Sequence, residues 1–254
     1  MPEKAIAAGL ALAVLASPIA YGAKIDPNNA KAILEQVEKN ISSEDEVATM
    51  KMTITEADGT PKDRTMEIYR KGSEGTQKVL VRIQGPADLK GTGLLSIGQD
   101  QWLYLPSSKQ TRRLQAGNKK SGFMDSELSY EDMGANSDGR FDSKVIKQEE
   151  LQGHKFAVIE NKPKGESSYG KILVWVDLDK YLVGKMEYYD KSMKLLKESV
   201  FSGYKQFDKG VWRARKVEVR NLQNKRGTTV ELSNLKLNKG IDDEEFTESA
   251  LTDE

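Results

Sequence analysis

Four carboxylates crowd the segment SGFMDSELSYEDMG, residues 121–134: Asp125, Glu127, Glu131 and Asp132. Paired carboxylates do general acid–base work when they face each other across a scissile bond, as in glycoside hydrolysis. Glu131 and Asp132 are adjacent in sequence, so in a helical turn their side chains diverge, and neither Asp125 nor Glu127 carries a further signature. The single histidine, His154, follows Gly153 in LQGHKF at the start of a predicted strand, where a solvated turn is expected rather than a general base. The GTG run, Gly91–Gly93, lacks phosphate-loop spacing and no helix pattern follows it; it reads as backbone relief in a twisted strand. The chain has no cysteine, which excludes disulfides, thiolate metal sites and cysteine nucleophiles. The expectation is no catalytic residue, no metal and no cofactor.

The same segment is half apolar. Phe123, Met124, Leu128, Tyr130 and Met133 are interleaved with the acids, without the alternation of a strand and in too short a run for an ordinary core helix. Three readings compete: a surface loop that tucks its apolar residues in, a carboxylate active site, or a lid over an apolar cavity. Just upstream, Arg112 and Arg113 could bind an anion or pair with the acidic segment, with a solvated strand edge as the alternative. Met50, Met52 and Met66 fall on one face of two predicted strands. Methionine is flexible and polarizable and suits adaptable apolar surfaces, as well as ordinary cores.

The elements around the segment narrow the choice. Asp26 can cap a helix with Pro27 in its first turn, and Ala30, Ile33, Leu34, Val37 and Ile41 then share one face, predicting an amphipathic helix over 27–41. Beyond it the period changes to two. Ala48, Met50, Met52 and Ile54 share a strand face, Met66 and Ile68 continue it after the turn cluster ADGTPKD, and Val79, Val81 and Ile83 do the same in QKVLVRIQG. Seven further strand-like segments follow the acidic insert, separated by turn residues. The connections are too short for helical crossovers, so neighbouring strands are expected to be antiparallel. About eleven strands with one apolar face would curl and need covering, and the concave side of such a sheet is a natural apolar ligand site. The helix and residues 117–134 are the two available covers.

Composition bounds the partners. Lys+Arg and Asp+Glu are both 39 in 254 residues, a balance that does not point to nucleic acid or an anionic surface. Ala5–Ala16 is an uncharged run of small and apolar residues, followed by small residues at Ala20, Gly22 and Ala23. That pattern predicts a cleaved signal peptide over 1–23, an exported, periplasmic protein, and one domain over 24–254.

One stretch also carries a family likeness. KGTGLLSIGQDQWLYLPSSKQTRRLQAGNKKSGFMDSELSYEDM (90–133) resembles the central segment of the outer membrane lipoprotein-sorting, LolA-like family: a glycine-flanked strand, W-L-Y-L-P, a basic R-R-L strand, then F-M-x-S-x-x-S-Y-E-D. The likeness continues through VWVDLDKYLVGKMEYYD, FSGYK, WRARKVEVRNL and IDDEEFT. In similar sequences a glycine is common where Asp125 stands and an aromatic where Leu128 stands. The resemblance implies a half-open antiparallel β-barrel closed on its concave side by helices, with lipoprotein or lipid acyl chains in the cavity, no enzyme activity, and a link to RND-type export systems. It leaves a second role open, that of a periplasmic sensor binding a membrane-anchored partner protein. Together these readings place a ligand cavity at Met50, Met52, Ile54, Met66, Ile68, Val79, Val81, Ile83, Leu34 and Val37. Phe123, Met124, Leu128, Tyr130 and Met133 form the lid over it, Glu127, Glu131 and Asp132 face water or nearby cations, and Arg112 or Arg113 is the latch. The expected partners are acyl chains and a membrane transporter or receptor, with the protein itself a monomer.

Overall fold

The computed structural model describes residues 25–72, 77–134 and 140–252; the predicted signal peptide lies outside the described residues. Strands β1 (Asp45–Thr55), β2 (Pro61–Lys71), β3 (Lys78–Gly85), β4 (Gly93–Ile97), β5 (Asp100–Leu105) and β6 (Gln110–Arg113) precede the insert. Strands β7 (Phe141–Leu151), β8 (His154–Pro163), β9 (Lys171–Asp177), β10 (Val183–Tyr189) and β11 (Leu195–Ser202) follow it. A small separate hairpin, β12 (Lys205–Gln206) with β13 (Trp212–Arg213), leads to β14 (Lys216–Asn221) and β15 (Gly227–Leu237). Thirteen strands form one antiparallel sheet in the order β6-β5-β4-β3-β2-β1-β15-β14-β11-β10-β9-β8-β7. That is two more than the expected eleven. Left-handed residues at Gly98 and Lys109 make two tight turns that divide 90–113 into three strands.

The sheet is not closed, since its end strands β6 and β7 are not paired. The chain crosses from one end to the other through the insert, which therefore bridges the open side. Register shows that one face is continuous across almost the whole sheet. Val81 lies opposite Leu94, Met66 opposite Ile83 and Met50 opposite Met66. Met52 lies opposite Val230, Val230 opposite Val217 and Val217 opposite Phe201. Ser199, Met186, Val174 and Ile159 carry the same face to β8. We call it the inner face.

Helix α1 (Ala30–Ile41) begins three residues later than predicted. Asn29 caps it, its side chain accepting from the Ala32 amide at 3.1 Å, while Asp26 accepts from the Asn28 amide in the preceding turn. Its apolar side, Ile33 and Val37, packs on Ala157, Ile159, Val174 and Val176, with Leu34 against the same group. So α1 covers the β8–β9 end of the inner face, and Leu34 and Val37 belong to a different cluster from Met50, Met52 and the other six strand residues assigned with them. The reason is reach. Thirteen strands at roughly 4.8 Å each make a surface about three times as wide as the ~18 Å length of a 12-residue helix. The outer face of β3 and β4 is sealed instead by the C-terminal segment, with Phe246 and Leu251 packed on Leu80 and Leu95. Asp45 anchors the start of that segment by accepting the amides of Lys239 and Gly240, both at 2.7 Å.

Among the described residues no helix is long and apolar enough to cross a membrane.

Candidate functional site

The insert folds on itself before it folds on the sheet. Gly122 bridges to Ser129, and the Phe123 amide donates to the Leu128 carbonyl at 2.6 Å. A side chain at Gly122 would meet the Ser126 carbonyl oxygen at 2.3 Å, so only glycine fits that crossing. Met124 and Asp125 take left-handed φ of 50° and 65°, a conformation that aspartate tolerates better than most residues. The segment ends in a one-turn helix, α2 (Tyr130–Met133). Ser129 caps it in a reciprocal box, accepting from the Asp132 amide while Asp132 accepts from the Ser129 amide at 2.7 Å.

The apolar half of the insert lies on the inner face of β1–β4. Phe123 and Met133 are buried among Met50, Met52, Ile54, Met66, Ile68, Val79, Val81 and Ile83, with Met124, Leu128 and Tyr130 packed against them. Phe123 meets the Tyr130 ring edge-on at 5.5 Å between centroids. All eight strand residues are at most 4 % exposed, so beneath the insert the face is filled core rather than open space.

The acidic half meets a part of the same face that sequence reasoning missed. Lys197 and Ser199 of β11, Tyr188 of β10, Asn221 of β14 and Thr228 of β15 form a buried polar stripe there. Lys197 donates to the Asp132 carboxylate at 2.6 Å and to the Glu127 carbonyl at 2.8 Å, and its ammonium lies 5.2 and 4.9 Å from the Tyr169 and Tyr188 rings. The Tyr169 hydroxyl donates to Asp132 at 2.8 Å. Burial, and then the Asp132 charge beside it, push the Tyr169 phenol well above its ordinary range; burial does the same to Tyr188. Glu127 accepts from Asn221 at 2.6 Å and Asn224 at 3.1 Å, with Arg226 at 3.5 Å, and its amide donates to Thr228. Glu131 accepts from Arg140 at 3.0 Å, the Ser167 hydroxyl at 2.7 Å and the Ser168 amide at 2.6 Å. The mixed composition of the insert thus mirrors a change of polarity across the sheet. The alternation in LLKESVFS does not signal it, because Lys197 is placed inward by its pairing with Tyr188 and Asn221.

The latch assignment falls elsewhere. Arg112 bonds Gln110 and Arg113 bonds Asp100, both exposed; the cations that hold the insert's carboxylates are Lys197, Arg140, Arg226 and, on the exposed Asp125, Lys62. The carboxylates show no facing pair poised across an open space, since each is committed to donors. His154 sits half-exposed with Nδ1 at 3.2 Å from Asp177.

Open space occurs beside the insert, not under it. A cavity of about 360 Å³ lies on the inner face between α1 and the end of the insert. Its apolar wall includes Val37 and Ile41 of α1, Met186, Phe201, Val217 and Leu232. Of the ten residues assigned to a cavity, Val37 lines this one. Glu46, Arg70, Asp132 and Arg213 line it as well. Glu46 is fully buried and accepts from Arg70 at 2.9 Å and Arg213 at 2.6 Å. Burial alone would raise its carboxyl, but the two guanidiniums outweigh that and hold it below its ordinary range.

A family model described as "Uncharacterized protein" matches residues 75–253. No curated protein matches the chain. Among solved structures, a domain named for outer membrane lipoprotein sorting from Vibrio parahaemolyticus is 31 % identical, with 87 % of this chain and 97 % of that one covered and a TM-score of 0.83. A DUF1329-family protein from Desulfovibrio piger is 29 % identical over 89 % of this chain and 100 % of its own, at a TM-score of 0.81. A LolA-superfamily protein from Nitrosomonas europaea, 22 % identical over 87 % and 98 %, has a TM-score of 0.74 and supports the fold.

Proposed function

The chain belongs to the outer membrane lipoprotein-sorting, LolA-like family, and from that premise we propose that it is a non-enzymatic periplasmic carrier that binds acyl chains of lipids or lipoproteins. The observation that supports this reading is the apolar cavity of about 360 Å³ on the inner face of an unclosed sheet. Its size lies within the roughly 300–1,000 Å³ of small-molecule sites, and Val37, Ile41, Met186, Phe201, Val217 and Leu232 supply an apolar wall opposite a charged side that includes Glu46, Arg70, Asp132 and Arg213. Acyl chains need no directional partners, only removal of apolar surface from water, at about 0.8 kcal/mol per methylene buried. Met186 gives that wall a flexible side chain that adjusts to chains of different shape. In this reading the protein is a monomer that exchanges its cargo with a membrane transporter or receptor, an RND-type exporter among the candidates.

The test is direct. Protein purified from its native periplasm should carry lipid mass in native mass spectrometry, and the delipidated protein should bind a fluorescent fatty acid. Ala214 lines the same cavity, and Ala214→Trp should fill it and abolish binding with the fold intact. A clean apo mass together with a stable protein partner would replace the carrier with a sensor.

A further inference from the structure

We propose that a second, polar cleft at the open side of the sheet binds a phosphate ester that also carries a hydroxyl or ammonium donor, the chemistry of a glycerophospholipid headgroup. The cleft, of about 740 Å³, lies on the other side of α2 from the apolar cavity. It is bounded by the β4–β5 turn, the start of the insert, the β8–β9 connection and the β10–β11 turn. Lys119, Lys120, Arg140, Lys164 and Lys191 line it, against the carboxylates of Glu131 and Glu166. Among the described residues, five cations against two anions leave a positive excess there, in a chain whose net charge is zero.

The charges are not equivalent. Arg140 is committed to Glu131, Lys164 lies 3.4 Å from Asp142 and Lys119 donates to the Gln99 carbonyl. Lys120 and Lys191 have no carboxylate partner among the described residues, and they are the cations available to an incoming anion. A cluster that mixes lysines with an arginine suits phosphate, which accepts from several donors at once. A second observation fixes the rest of the ligand. Gln101 lines the cleft and is 2 % exposed. Its side-chain nitrogen donates to the Tyr130 carbonyl at 2.7 Å, and its oxygen is buried with no partner. That bond fixes which end of the amide is the acceptor. A buried acceptor left unpaired is costly, and a hydroxyl or ammonium beside the phosphate would satisfy it once ligand entry uncovers the Gln101 amide.

Gly134 lines both the polar cleft and the apolar cavity. An amphiphile with its headgroup among the lysines would then direct its chains toward the inner face at Gly134. Naming the phosphate as a headgroup rests on the carrier reading; the anion chemistry of the cleft does not.

Titration calorimetry at low salt tests the site with four probes: dihexanoyl-phosphatidylglycerol, dihexanoylglycerol, glycerol 3-phosphate and methyl phosphate. The expected order is phosphatidylglycerol tightest, and glycerol 3-phosphate above methyl phosphate, which has no donor for Gln101. The exposed double variant Lys120→Gln/Lys191→Gln should weaken phosphatidylglycerol about tenfold or more and leave dihexanoylglycerol unchanged. If phosphatidylglycerol and dihexanoylglycerol bind alike and neither senses the lysines, the cleft is not a headgroup site and the proposal is overturned. If glycerol 3-phosphate binds as tightly as phosphatidylglycerol, the site takes a free phosphate ester and the headgroup assignment falls. If dihexanoylglycerol fails to bind while glycerol 3-phosphate still senses the lysines, the carrier reading falls and the phosphate site stands.

Discussion

The ammonium of Lys197 lies 2.6 Å from the carboxylate of Asp132, joining the middle of the sheet to the last turn of the insert. Both side chains are shielded from water, at 4 % and 11 % exposure. Each also has other partners, the Glu127 carbonyl for the lysine and Tyr169 for the aspartate. Removing one member of such a pair strands the other charge, at about 3–5 kcal/mol. Lys197→Met should therefore lower the urea unfolding midpoint sharply. Adding Asp132→Asn should restore part of the loss, because the stranded charge disappears. A double variant no more stable than Lys197→Met would show that the cost lies in packing and not in the unpaired carboxylate.

The arginines that neighbour the insert in sequence should behave differently. Arg113 bonds Asp100 in solvent and rests beside the Trp102 ring at 6.0 Å. Exposed pairs of this kind contribute little. Arg112→Ala and Arg113→Ala should leave the unfolding midpoint unchanged, and should leave amide exchange in 121–134 unchanged as well. Faster exchange there in either variant would restore them as anchors of the insert.

That contrast marks where sequence reading reached its limit. The alternation that put Met50, Met52, Ile54, Met66 and Ile68 on one face is local, and the same face emerges in the fold, with the insert's five apolar residues packed on it. The position of α1 was not legible, because its apolar stripe is satisfied by any apolar surface and only the sheet order sends it to β8 and β9. Lys197 was harder still. A lysine in a strand reads as solvent-facing, and its inward position follows from its pairing with Tyr188 and Asn221, which lies beyond any local pattern. Sequence proximity then made Arg112 and Arg113 the obvious cations, although the true partner is 65 residues away from Asp132. The substitution of aspartate where similar sequences favour glycine has a clear site: Asp125 takes φ of 65°, and its carbonyl accepts from Arg226 at 2.6 Å.

Acid should weaken the margin of the apolar cavity through Glu46. Its carboxyl is held below its ordinary value of 4.5, with burial opposing and Arg70 and Arg213 prevailing. The unfolded chain therefore takes up this proton first. The stabilisation is complete above about pH 4.5 and is lost as pH falls through the lower folded value. Glu46→Gln should cost roughly 3 kcal/mol at neutral pH. It should also flatten the acid limb of the stability profile below pH 4.5 relative to wild type, as measured by urea titration at a series of pH values. Parallel acid limbs in the two proteins would assign the acid sensitivity to other carboxylates, Asp45 first among them.

If the insert gates the cavity, as the carrier proposal requires, it does so by loosening one of its two attachments, which differ in their bonding. The polar attachment is buried and bonded at Asp132, Glu127 and Glu131, each with a cation or amide donor. The apolar attachment holds Phe123 and Met133 fully, whereas Leu128 and Tyr130 are half-buried. Opening is therefore expected to begin at the Leu128 side and pivot on the bonded α2 turn. Leu128→Glu places a charge against that half-buried edge. It should cost about 1–3 kcal/mol, leave the fold intact, and weaken uptake of a fluorescent fatty acid. The amides of Phe123 and Tyr130, which donate to Leu128 and Ser121 within the insert, should exchange faster in this variant and slower in wild type once ligand is bound. Wild-type exchange that is the same with and without saturating ligand, together with full binding by Leu128→Glu, would make the segment a fixed cover and place entry at the α1 side of the cavity.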